Sequence, residues 1–175
     1  MDADVKVADA VLVARLAEVV AKDRAMFEVN VKAAVAKSGN SRAKLEIALL
    51  AAMDAATQSE MVWGKDDCVL WCANILKVAI GCDPVSHIRG RYRTRIGARR
   101  LIGRRGLLPA ARVVARKRGW RRINEGEQVG DIGVAVLSGV LSVVICRAPG
   151  WFVGRNERGW TSMPSTNVRI IWAVI

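Results

Sequence analysis

The sequence predicts an α+β fold, with helices first and an antiparallel sheet after them. Apolar residues recur every three or four positions through the first part of the chain. From Gly130 onward the pattern becomes short β-branched and aromatic runs separated by turn residues. Helices followed by a run of neighbouring strands make an α+β layout. The 175 residues suit one domain with an extension, and a composition that is 52% apolar and 25% charged supplies a core.

Val5 to Lys37 reads as one long helix: Val5, Ala8, Leu12, Leu16, Val19, Met26 and Val31 fall mostly three or four apart, with no Gly or Pro between. Ser38-Gly39-Asn40-Ser41 is a helix stop followed by a new N-cap, with Gly39 suited to a left-handed C′ position. A second helix runs from about Arg42 to Thr57 on a narrow stripe of Leu45, Leu49 and Met53. Two arrangements stay open for the first helix: an αα-hairpin with the second, or packing of its stripe on a neighbouring subunit. This divides the chain into a helical extension, residues 1–41, and an α+β domain, residues 42–175.

Cys68 to Ala79 is apolar and helical, closed by Gly81, with Asp66 or Asp67 placed to cap its first turn. The stretch that follows carries Tyr92, Ile96, Leu101, Ile102, Leu107, Leu108, Val113 and Val114 among arginines, punctuated by Gly97, Gly103, Gly106 and Pro109. It predicts one or two short helices with their arginines outward. Strands are expected at Ile132 to Val136, Val140 to Cys146, Trp151 to Val153, Trp160 to Met163 and Val168 to Val174, as an antiparallel meander.

The net charge of +12 has one source. Pro84 to Asn124 contains 14 of the 28 basic residues and no acid, leaving 14 basic against 16 acidic residues elsewhere. Such a block attracts polyanions: nucleic acid, an acidic protein surface or an anionic cell-wall polymer. Arg89, Arg91, Arg93, Arg95, Arg99, Arg100, Arg104 and Arg105 are the candidate interaction residues.

Other classes are excluded or disfavoured. The longest uncharged apolar stretch, Ile132 to Cys146, is 15 residues with Gly133 and Gly139 inside, short of the roughly 20 needed to span a bilayer. The start of the chain, with Asp2, Asp4 and Asp9, has no basic region leading to an apolar one, so no Sec-type export is expected. Cys68, Cys72, Cys82 and Cys146 are then read as free thiols rather than a disulfide framework. A Cys68/Cys72 metal pair lacks a second pair of soft ligands, and no metal or other cofactor is expected.

Three blocks carry a family likeness: Trp63-Gly64-Lys65-Asp66-Asp67-Cys68, Asp83-Pro84 leading to Arg89-Gly90-Arg91-Tyr92-Arg93-Thr94, and Gly130-Asp131-Ile132. A weaker tail match is Gly159-Trp160, Met163-Pro164 and the last strand. In order and spacing these resemble the NlpC-type cysteine peptidases, and most of all a family of short NlpC-like proteins of phages and prophages. The likeness covers roughly residues 42 to 175. It implies a papain-like core, a helix with a cysteine at its N-terminus packed on an antiparallel sheet, and a place among tail genes. Relatives with intact sites cleave peptide bonds in bacterial cell walls.

The likeness points to Cys68 as nucleophile. A thiol in the first turn of a helix meets the positive end of the macrodipole, which favours thiolate. Lys65 nearby adds to this, while Asp66 and Asp67 oppose it. Backbone N–H groups there could form part of an oxyanion hole. The general base is missing. The resembled enzymes carry a histidine at the start of the strand after the Gly-Asp strand, where this chain has Val140-Leu141-Ser142. The single histidine, His87, lies outside that place and is read as a surface residue in a turn set up by Asp83-Pro84.

The expected function is therefore a virion component of a phage tail or tail tip, made in the bacterial host cytoplasm, with a degenerate NlpC-type domain. It would assemble with other tail proteins as a homo- or hetero-oligomer. One alternative is an active cysteine peptidoglycan hydrolase that meets the bacterial cell wall during entry. A second is nucleic-acid binding through the arginine stretch, for which Tyr92 and Trp120 are too few aromatics to build a stacking platform.

Overall fold

The computed structural model describes residues 25, 26 and 29–175. Most of the long helix expected over Val5 to Lys37 lies outside the described residues. Its last part, residues 29–37, is helical, and Val35 is buried in the core beside the next two helices.

Helix α1, Ser41–Thr57, starts at Asn40, whose side chain accepts the Arg42 N–H at 2.8 Å. Its buried face is the expected Leu45, Leu49 and Met53, widened by Ala48 and Ala56. Gly39 does not take the left-handed backbone expected of it, and the chain turns there without a positive φ. Helix α2, Cys68–Ile80, is capped by Asp67 and ends on left-handed Gly81 at φ 69°. The basic stretch forms α3, Arg95–Ile102, and α4, Leu107–Lys117, joined by Gly103-Arg104-Arg105-Gly106.

Six strands form one antiparallel sheet: β1 (Arg121–Ile123), β2 (Ile132–Leu137), β3 (Val140–Ala148), β4 (Trp151–Asn156), β5 (Gly159–Pro164) and β6 (Val168–Ala173), in the order β1-β6-β2-β3-β4-β5. The expected meander holds for β2 to β5. It fails at the end of the chain, where β6 crosses back to pair with the far side of β2. Strand β1 was not expected: it is only three residues long, two of them exposed arginines, so no apolar alternation marks it. The β2–β3 hairpin closes on Ser138 and Gly139, at φ 48° and 78°, the left-handed pair a two-residue turn requires.

The sheet is buried on both sides. One face carries Ile132, Val143, Ile145 and Val153 against α1 and α2, and Val134, Ile170 and Trp172 against α4. The other face has no helix over it among the described residues. Its Ile123, Leu137, Val144, Cys146, Phe152, Met163 and Ile171 pack only on one another. Phe152 is fully buried there, and the sheet curls enough to bring β2 and β4 into contact across β3. Gly154 permits this curl: a Cβ at that position would sit 2.4 Å from Leu137 Cδ1, which reaches over β3 from β2.

Candidate functional site

Cys68 opens α2, and the core packing of α2 on β3 sets what its thiol meets. Cys68 is half-buried and lies against Ser142 and Val143 of β3. Burial pushes the Cys68 thiol up from its ordinary pKa. The nearby Val143 backbone and Ser142 hydroxyl, the latter donating to the Val140 carbonyl at 3.3 Å, offset part of the rise, and the negative charge of Asp67 adds to it. The helix-start effect expected to favour thiolate is thus outweighed. The group beside the thiol is a hydroxyl, which cannot take a proton near neutral pH. One turn on, Cys72 is fully buried, its thiol donating to the Val143 carbonyl at 3.8 Å, and burial pushes it up further still.

Two of the N–H groups at the start of α2, those of Val69 and Leu70, are already engaged, whereas the Cys68 N–H has no acceptor among the described contacts. Asp67 is 1% exposed, and its Oδ1 accepts the Val69 and Leu70 N–H groups at 3.2 and 3.3 Å. Its Oδ2 accepts the Gly64 N–H at 2.9 Å and the Tyr92 hydroxyl at 2.7 Å. Four donors hold one buried carboxylate, as a desolvated charge requires. The Trp63–Cys68 and Arg89–Thr94 blocks thereby join in a single knot. Gly64 belongs to it for steric reasons: at φ 79°, a Cβ would lie 2.0 Å from the Tyr92 carbonyl oxygen.

The other motif residues are tied the same way. Asp83 accepts from Arg89 at 2.6 and 3.2 Å, and Arg89 also donates to Asn74 of α2 at 2.8 Å. Asp131 accepts from Arg42 at 2.7 Å and from the Gln128 and Val174 N–H groups. Asp66 receives Arg155, whose side chain is wholly buried and also donates to the carbonyls of Ala56, Ser59, Asn156 and Gly159.

Above Cys68 runs a groove of about 1360 Å³, between the α3–α4 pair on one side and the tips of the β2–β3 and β4–β5 hairpins on the other. His87, exposed in a 3₁₀ turn at Ser86–Ile88, lines the same groove, and among the described contacts nothing links its ring to Cys68. No group of three or more His, Cys, Asp or Glu among the described residues is arranged to hold a metal ion. The four cysteines are free thiols, and no described helix is long and apolar enough to cross a membrane.

A family model described as a domain of unknown function, DUF6950, matches residues 41–174. The chain belongs to the DUF6950 family. No curated protein and no solved structure matches it.

Within the DUF6950 domain the eight candidate arginines divide into two sets. Arg89 is half-buried in its pair with Asp83 and serves the fold. Arg91, Arg93, Arg95, Arg99, Arg100, Arg104 and Arg105 are exposed, and among the described residues none pairs with a carboxylate. Three structural roles in the DUF6950 domain had no separate signal in the sequence. Tyr92 looked like one aromatic among arginines and Asp67 like a simple cap, and Arg155 lay just beyond the strand expected at Trp151 to Val153. Their burial follows from which chain segments meet, and that is decided by tertiary packing.

Proposed function

We propose that this domain is a papain-like, NlpC-type fold without its catalytic base, serving as a structural component of a phage tail or tail tip. Residues 1–41 act in that reading as a helical extension for assembly. One observation carries it: the thiol at the start of α2 lies beside Ser142 on β3, at the strand position where the resembled peptidases have histidine. A raised thiol pKa supports it, because a thiol peptidase needs a thiolate.

The test is direct. Purified full-length protein incubated with peptidoglycan fragments from about pH 5 to 9 should release no new amino termini. A phage carrying Cys68→Ala should assemble and infect normally, and deletion of residues 1–38 should abolish incorporation into the particle. Cleavage that disappears in Cys68→Ala would replace this reading with that of an active cysteine hydrolase, with His87, on the same groove, as the first candidate base.

A further inference from the structure

We propose that the groove over Cys68 is a docking cleft for an extended acidic peptide of a partner protein, one that alternates apolar and carboxylate side chains. The proposal rests on the non-hydrolytic assembly reading above, and it adds the site and the class of partner. The groove measures about 1360 Å³, larger than the roughly 300–1,000 Å³ of a typical small-molecule site. Its walls include Trp63, Ile88, Leu101, Leu107, Val114 and Leu141, all only partly buried. Each leaves apolar surface facing the groove.

The charged lining is one-sided. Arg95, Arg99, Lys117, Arg118 and Arg158 are exposed along the groove, and none is in an ion pair among the described residues. Against them stand two carboxylates. Asp67 is buried and fully bonded, so Glu157 is the one exposed acid on the lining. Unpaired cations above apolar walls are complementary to a chain that offers carboxylates outward and apolar side chains inward.

A nucleic acid meets the cations but not the walls. It would bring a phosphate with every nucleotide, and its bases need open aromatic faces. Tyr92 and Trp172 are buried, which leaves only the partly covered Trp63 and Trp120, too few rings to stack a run of bases.

Fluorescence anisotropy of the full chain tests this with four labelled probes: a peptide alternating leucine and glutamate, one alternating serine and glutamate, one alternating leucine and lysine, and a single-stranded DNA. The leucine–glutamate peptide should bind, and the other three should bind at least tenfold more weakly, about one RT ln 10 step each. The double variant Arg95→Glu, Arg99→Glu changes only exposed helix residues, so its fold can be verified by circular dichroism, and it should weaken the leucine–glutamate peptide about tenfold.

No binding of that peptide, or indifference to the charge reversal, overturns the proposal. Equal binding of the serine–glutamate peptide or the DNA does so too, and makes the surface a general polyanion site. The assembly reading fails separately, through peptidoglycan cleavage lost in Cys68→Ala. Absent peptide binding without any cleavage sinks the docking proposal alone.

Discussion

The Tyr92 hydroxyl donates to Asp67 Oδ2 at 2.7 Å, binding the segment that leads into α3 to the cap of the helix that carries Cys68. Tyr92→Phe removes one of four donors from a buried carboxylate and should cost about 1–3 kcal/mol in chemical denaturation. Burial, followed by its bond to the Asp67 carboxylate, pushes the Tyr92 hydroxyl well above the ordinary tyrosine range. A raised folded pKa gives stability that is complete below the unfolded value and is lost as pH rises. The protein should therefore weaken above about pH 10. That alkaline loss should shrink in Tyr92→Phe.

Gly64→Ala should be worse than a change of one methyl suggests. The new Cβ meets the Tyr92 carbonyl oxygen at 2.0 Å, a backbone atom that cannot swing aside, on a residue at φ 79°. A loss of more than about 2 kcal/mol in thermal or denaturant unfolding is expected. A near-neutral result would mean that the loop and the Tyr92 segment are not held together.

Arg155→Met leaves Asp66 without its cation and the Ala56, Ser59 and Gly159 carbonyls without a donor in a buried site. Asp66 is 29% exposed and keeps the Val62 N–H, so urea unfolding should read a loss below the roughly 3–5 kcal/mol of a fully buried pair, about 2–3 kcal/mol.

The Asp83–Arg89 pair gives acid sensitivity. Burial raises the Asp83 carboxyl, but the Arg89 hydrogen bond and charge outweigh it and hold it below the usual range. A depressed folded pKa contributes stability above the unfolded value, which is lost as pH falls through the carboxylate range, below about 4. Asp83→Asn should flatten that part of the stability profile while lowering stability at pH 7, as followed by denaturant titration at several pH values.

Local signals carried far in this chain, and their reach explains what was legible. Asp67 before an apolar run and Gly81 after it mark α2 within a residue, because caps and C′ glycines act within one turn. All five expected strands begin within a residue of their observed starts for the same reason: each is bounded by its own turn. The return of β6 to β2 and the curl of the sheet over Phe152 depend on contacts between distant segments and left no local trace. Cys68 shows the same limit at the site. Its helix-start position was readable, whereas the burial that raises its pKa follows from tertiary packing, that of α2 on β3 and β4 included.

Cys68 is held as a thiol beside a serine hydroxyl that cannot deprotonate it. Its alkylation rate by iodoacetamide, followed at the Cys68 peptide by mass spectrometry from about pH 5 to 10, measures this directly. Reactivity that stays slow through neutral pH and rises only above the ordinary thiol range, about 8.5, is the predicted result. A reactive plateau already present below pH 7 would reveal a thiolate and contradict it.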